Sequence, residues 1–139
     1  MNIWEIIQKL IGLSEKRFHL EQAKHTDTDP VWLCASDIQA DPEEAAIDNQ
    51  MLLLLHNTDY KTVRQIEAVM VCGMDIREHN DIENDISDLD ALADYYQIPT
   101  LVNGGSIAGA SEYIISKRHL FIFFRAYMDK ISQKGKEVT

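Results

Sequence analysis

The sequence predicts an all-α fold, a compact orthogonal bundle of four to six helices. Apolar residues recur at intervals of three and four over most of the chain, which is the spacing of one helix face. Asp-Pro and Thr-Asp sequences stand where such a face begins, as helix caps do. Six Gly and three Pro in 139 residues are few for an all-β chain built on many turns. Residues 1–139 are therefore expected to form one helical domain, with a frayed polar tail from about residue 134.

The first expected helix occupies the N-terminal residues. Arg17 lies at the margin of its apolar face, and Gly12 and Ser14 are candidate points at which the helix divides in two. The apolar face itself is made of Ile3, Ile6, Ile7, Leu10, Leu13, Leu20 and Ala23.

The second helix begins at a capping sequence. Asp41 precedes Pro42 and Glu44, which is a close analogue of a capping box with Pro at the first helical position. This helix is expected to run to about His56. Because its C-terminal half is apolar most of the way round, we expect it at the centre of the core.

A third helix is expected to start after Asp59, which caps it, and to end near Gly73. The periodicity places Lys61, Arg64 and Glu67 on its outer face. Its inner face is expected to carry Val63, Ile66, Val69, Met70 and Cys72.

The chain is less regular after this helix. Residues 75–88 are expected to form a loop, after which Ser87 caps a short helix that Pro99 ends. Residues 100–110 hold three of the six glycines and are expected to be irregular.

The last expected helix follows Ser111, its cap, and covers about residues 112–133. The apolar run 120–124 also fits a buried strand, so the alternative fold is α+β with a hairpin within 98–124. The predicted core of the bundle includes Ile7, Leu10, Leu54, Ile66, Val69, Met70, Leu92, Phe121 and Phe124.

The chain is acidic, with 13 Lys and Arg against 23 Asp and Glu and a net charge of −10. Nucleic acids and anionic membranes bind cationic surfaces, so neither is an expected partner. Residues 1–110 carry 7 basic and 20 acidic side chains, a net charge of −13. Residues 111–139 carry 6 basic and 3 acidic side chains, a net charge of +3. This charge favours a non-enzymatic binding or regulatory protein that docks a basic protein partner. The candidate partner-facing surface is Asp81, Glu83, Asp85 and Asp88.

The acidic stretch does not fit a calcium-binding EF-hand. That loop needs Gly at its sixth position and Glu at its twelfth, and counted from Asp81 these positions hold Ile86 and Leu92.

Cys34 and Cys72 lie among apolar residues and are expected to be buried thiols. No nucleophile motif is present, so the sequence predicts no catalytic residue, metal ligand or cofactor.

The Gly-rich segment 104–109 suggests a second function. Backbone N–H groups at the start of a helix bind phosphates, so Gly104, Gly105 and Arg118 are candidate anion contacts of a small-molecule binder or enzyme. The segment matches neither the P-loop nor the dinucleotide-binding pattern, and a flexible connector is the alternative.

A third possible function is a structural homo-oligomer, with the last helix partly at the interface. Its aromatic residues are more than one helix face can bury, which favours a central helix or a dimer interface. They are Phe121, Phe123, Phe124 and Tyr127.

The longest apolar stretches are far shorter than the roughly 18 residues of a membrane span. The first residues, 1–13, lack the features of a signal peptide, so a cytoplasmic location is expected.

Residues 59–75, DYKTVRQIEAVMVCGMD, resemble the signature helix of a small uncharacterised bacterial family. In that family a helix start with acidic residues and Thr-Val leads to an end of the type Leu-Met-x-x-Gly-Arg-Asp, and Met74 stands where the family has Arg. The upstream order of helix, Thr-Asp-Pro linker and acidic helix is also similar, so the resemblance covers about residues 3–96. It implies a helical domain and no established activity.

Overall fold

The computed structural model describes residues 2–24, 42–79 and 86–137. These residues form six α-helices and no strand, which confirms the all-α prediction. The helices are α1 (Ile3–Lys24), α2 (Pro42–His56), α3 (Tyr60–Glu78), α4 (Leu89–Tyr95), α5 (Ile107–Ile115) and α6 (Leu120–Glu137), with a 3₁₀ turn at Leu101–Asn103. The alternative hairpin within 98–124 is wrong, because that segment holds the 3₁₀ turn, α5 and the start of α6.

The predicted core is buried, with one exception. Leu54 is partly exposed, and its neighbour Leu55 is buried instead. The C-terminal half of α2 therefore lies at the edge of the core rather than at its centre, and Leu53 faces solvent. A helix packed on one side by α1 and α5 buries one face, so its other apolar side chains stay outside.

Helix α3 packs against α6, α4, α5 and α1. Its start is the predicted one, since Asp59 accepts a hydrogen bond from the Thr62 N–H. The expected end at Gly73 is wrong, because the helix continues to Glu78. Gly73 lies where α3 crosses α6, and a Cβ atom there would overlap the backbone carbonyl of Phe123. This glycine allows a close helix crossing instead of ending the helix.

Helix α1 is continuous, so neither predicted break point interrupts it. Gly12 faces open space, and Ser14 is fully buried with its hydroxyl accepting the Phe121 N–H at 3.1 Å. Arg17 is buried too, with 2% of its surface exposed, and does not lie at the margin. Both polar side chains therefore belong to the interior face of α1.

The buried guanidinium of Arg17 joins three parts of the chain. It donates hydrogen bonds to the Asp48 carboxylate in α2 at 2.9 Å, to the Ile115 carbonyl at 2.9 Å and to the Lys117 carbonyl at 2.8 Å. The Ile115 carbonyl lies at the C-terminal end of α5, where helices leave carbonyl groups without intrahelical partners. The Lys117 carbonyl lies in the turn after α5, where it also accepts the Leu120 N–H at 3.2 Å. Arg17 thus satisfies the end of α5 and holds it against α1 and α2.

The expected single helix after Ser111 is two helices, α5 and α6, joined by residues 116–119. The cap of α5 is Ser106, whose hydroxyl accepts the Gly109 N–H at 3.0 Å, and Ser111 is buried within α5. A capped start lets the Gly-containing segment form a helix where irregular chain was expected.

Asp88, and not Ser87, caps α4 by accepting the Ala91 N–H at 3.1 Å. Ile86, just before this cap, is buried, and its carbonyl accepts a 2.6 Å hydrogen bond from the Tyr127 hydroxyl. The expected cap Asp41 of α2 lies outside the described residues. In the described part of the chain, no helix is both long and apolar enough to cross a membrane.

The crossing of α3 and α6 should make Gly73→Ala destabilising by about 1–3 kcal/mol, because the new methyl group meets the rigid backbone of Phe123. Gly12→Ala is the matched control, a change of the same kind in a helix interior with open space around it. It should stabilise the protein by about 1 kcal/mol, since Ala favours helix more than Gly. Urea unfolding of both variants measures the difference, and equal effects would contradict the close crossing.

The role of Arg17 predicts unequal effects for the two partners of its ion pair. Arg17→Ala should lower the free energy of unfolding by about 3 kcal/mol, because the carbonyls of Ile115 at the end of α5 and of Lys117 in the following turn lose a charged donor. Asp48→Ala should cost about 1 kcal/mol, because Asp48 is only one of three acceptors and its side chain is 41% exposed. Urea unfolding tests this; an equal loss in both variants would show that the ion pair alone matters.

Candidate functional site

A cleft of about 440 Å³ opens between α3, the segment that follows α4, and the N-terminal part of α5. We call it the Glu67 cleft. It is lined by Tyr60, Glu67, Val71, Tyr96, Gln97, Ile98, Pro99, Gly104, Gly105, Ser106, Gly109, Ala110 and Tyr113. Its size is within the range of ligand-binding pockets, and most of its wall is apolar or aromatic.

Glu67 is the charged residue of the wall, and it is 8% exposed. Burial raises the pKa of its carboxyl above the ordinary value, although the positive charge of Arg64 partly opposes this shift of the pKa. Within the described residues the carboxyl has no hydrogen bond and no ion pair. The enclosed unpaired side-chain atoms of the described residues are the Arg17 Nε and the Ser111 Oγ, and the Glu67 oxygens are not among them. The residue is therefore buried while its carboxyl opens into the cleft, where a ligand can reach it.

The predicted outward position of Glu67 is wrong. On α3 it follows Tyr60 by seven residues and precedes Val71 by four, so all three share one face of the helix. The apolar character of Tyr60 and Val71 was a signal that this face is covered. The covering elements are the segment after α4 and helix α5, which come from distant parts of the sequence.

Two tyrosines of the cleft already use their hydroxyl groups. Tyr60 donates to the Pro99 carbonyl at 2.5 Å, and Tyr96 donates to the Asp75 carboxylate at 2.8 Å. Burial raises the pKa of both phenols, so both stay protonated donors. The rings, and not the hydroxyls, are therefore what these residues offer to a ligand.

The wall formed by residues 98–105 is fixed by hydrogen bonds. Arg64 donates to the Ile98 carbonyl at 2.9 Å and also pairs with Asp94 in α4 at 2.9 Å. Gly104 has φ of 94°, which favours glycine, and a Cβ on Gly105 would overlap the Tyr60 hydroxyl. The glycines thus shape the wall of the cleft and bring the backbone close to Tyr60.

The candidate anion contacts are only partly brought together. Gly104 and Gly105 line the Glu67 cleft, whereas Arg118 lines a different cleft with Arg17 and pairs with Glu21 at 3.0 Å. The residues that line the Glu67 cleft include no Lys or Arg. A wall with a carboxyl group and no cation is poorly suited to phosphate.

Three of the four residues of the predicted acidic surface, Asp81, Glu83 and Asp85, lie outside the described residues. The fourth, Asp88, is exposed and caps α4. Among the residues that the structure describes, no three His, Cys, Asp or Glu side chains are grouped as metal ligands would be.

No family model, curated protein or solved structure matches the chain. The resemblance of residues 59–75 to a bacterial helical family therefore stays a prediction.

The arrangement of the cleft suits a cation. An ionised carboxyl in a poorly solvated place gains free energy when an opposite charge enters, because the attraction is less screened there than in water. Aromatic rings attract cations as well.

The raised pKa of Glu67 predicts a specific pH dependence of stability. The folded protein holds this proton more tightly than the unfolded chain, so the contribution is fully present below pH 4.5, the ordinary pKa, and is lost as the pH rises through the raised pKa. Glu67→Gln does not titrate. Its free energy of unfolding should therefore increase relative to wild type above pH 4.5 and level off at higher pH.

Urea unfolding between pH 4 and 8 measures this difference. Glu5→Gln removes one negative charge from an exposed position of α1 and is the matched control. If the two variants differ from wild type by the same amount at every pH, burial does not raise the pKa of the Glu67 carboxyl.

Proposed function

We propose that this protein is a non-enzymatic binding protein that docks a basic protein partner, and that the Glu67 cleft receives one cationic side chain of that partner. The carrying observation is the Glu67 carboxyl, buried at the cleft without a hydrogen bond or an ion pair in the described residues. The mainly acidic chain would also attract a basic partner from a distance.

The cost of burying Glu67 supports this proposal. A buried carboxyl without partners lowers the stability of the free protein, whereas a cation that enters the cleft supplies the missing partner. Arg64 does not fill this role, because its guanidinium is engaged by the Ile98 carbonyl and by Asp94. The favourable interaction is therefore left for a group from outside the chain.

Exposed apolar residues next to the cleft favour a protein as the partner. Leu101 is 64% exposed and Val102 is 94% exposed, and they lie three and two residues before Gly104 of the cleft wall. Tyr113 in the wall itself is 42% exposed. A partner that inserts a cation and also covers these side chains would bury apolar surface, which a small ion cannot do.

In this proposal the predicted acidic surface, Asp81, Glu83, Asp85 and Asp88, increases the rate at which the basic partner associates. Exposed charges at the rim of an interface mainly speed association, and they contribute less to the lifetime of the complex. The cytoplasmic location expected from the sequence also remains part of the proposal.

A small-molecule ligand is the second candidate, because the Gly-rich segment shares the cleft with Glu67. Gly104, Gly105 and Gly109 bring backbone close to any ligand that occupies it. The carboxyl favours an amine over a phosphate as the ligand. The third candidate, a homo-oligomer, has less support, since Phe121, Phe124 and Tyr127 are buried within the chain.

The test compares how tightly the wild-type protein and its variants bind peptides that contain one Lys or Arg. A library of such peptides is screened on the immobilised protein, and the best binders are measured for affinity and association rate. Glu67→Gln should weaken binding by about tenfold or more, because the partner's cation loses its counter-charge in the cleft. Glu5→Gln, with the same loss of charge on α1, should change affinity by less than about twofold.

The variant Asp81→Asn with Asp85→Asn and Asp88→Asn separates the two acidic regions. It should slow association and reduce the salt dependence, with little effect on dissociation. Peptides that bind Glu67→Gln as tightly as wild type would contradict the role of the cleft. A stabilising response to simple amines without any peptide binding would favour the small-molecule function.

A further inference from the structure

Three tyrosines line the same cleft as Glu67. Tyr60, Tyr96 and Tyr113 all line the cleft, and the first two direct their hydroxyls to other protein groups. The Nζ of Lys117 lies 4.7 Å from the centroid of the Tyr113 ring, so one face of that ring already attracts a cation. Lys117 does not line the cleft, whereas Tyr113 does and is 42% exposed, so part of Tyr113 is accessible from the cleft.

Several acceptors of the wall are already engaged. The Ile98 carbonyl accepts from Arg64, the Pro99 carbonyl accepts from Tyr60, and the Ser106 hydroxyl accepts from the Gly109 N–H. A bare ammonium group brings three N–H donors and a guanidinium group brings five. In this cleft the Glu67 carboxyl and the amide of the exposed Gln97 could satisfy some of those donors, and the others would lose their water without a good replacement.

A methylated ammonium group avoids this loss. It keeps the positive charge that Glu67 attracts, while its methyl groups replace donors and pack on aromatic rings. A cleft of about 440 Å³ has room for the larger group.

From these contacts we infer that the Glu67 cleft is an aromatic and acidic cage that prefers an N-methylated ammonium group, such as that of a methylated lysine side chain, over a bare ammonium group. This inference rests on the proposed function, because it names the kind of cation that the basic partner inserts. The carboxyl supplies the charge attraction, and Tyr113 with its two neighbouring tyrosines supplies the preference for methyl groups.

The experiment uses three small probes and the whole protein. The probes are Nα-acetyl-lysine methylamide, the same compound with a trimethylated Nζ, and a neutral isostere with carbon in place of that nitrogen. Dissociation constants come from NMR titration of ¹⁵N-labelled protein. The trimethylated probe should bind about tenfold more tightly than the unmethylated one, and also more tightly than the neutral isostere.

Variants of the wall test each part of the cage. Tyr113→Leu should abolish the preference for the trimethylated probe, whereas Tyr113→Phe, which keeps the ring, should retain it. Because Tyr113 is 42% exposed, both variants are expected to fold, and thermal unfolding checks this. Glu67→Gln should weaken both charged probes and leave the neutral isostere unchanged.

The outcomes separate this inference from the proposed function. If both charged probes bind equally and both are weakened by Glu67→Gln, the methyl preference is overturned and the cation-binding cleft stands. Tyr113→Leu with an unchanged preference also overturns the cage. If the neutral isostere binds as tightly as the trimethylated probe, or if no probe binds, the cage and the cation-binding cleft are both wrong.

Discussion

The described fold depends on two polar side chains of α1 that hold the turn between α5 and α6. Arg17 donates to carbonyls at the end of α5 and in the turn after it, and Ser14 accepts the Phe121 N–H at the start of α6. The ends of the two helices need opposite partners, a donor and an acceptor, and one turn of α1 provides both. Since α5 also forms part of the Glu67 cleft, the position of the cleft wall follows from these hydrogen bonds.

Glu67 is the buried acidic residue of the described chain. The Tyr127 hydroxyl and two nitrogens of the Arg17 guanidinium have carbonyl partners, whereas the Arg17 Nε and the Ser111 hydroxyl are enclosed without one. The Glu67 carboxyl also has no hydrogen bond among the described residues, but it faces the cleft. A protein that needed only stability would gain from an apolar residue at this position. Local rules are most often broken at sites of function, and an acidic group without a partner in the wall of a cleft makes that cleft the candidate site.

Much of the fold could be predicted from local sequence. The start of α3, the extent of α2 and most of the core follow from capping residues and from helical periodicity, which are local signals. The errors concern residues whose role depends on a distant neighbour. Gly73 looked like a helix end because the backbone of Phe123, fifty residues later, cannot be seen from its surroundings in the chain.

The sequence by itself determined the helical class, the acidic charge and the faces that each helix could bury, because propensity, charge and periodicity are properties of short segments. The tertiary structure decided which of these faces are covered. It buried Arg17 and Glu67, separated Arg118 from the glycines, and placed three tyrosines in the wall of the same cleft as one carboxyl. Burial and desolvation depend on the contacts of all packed elements together, so no single segment could reveal the site.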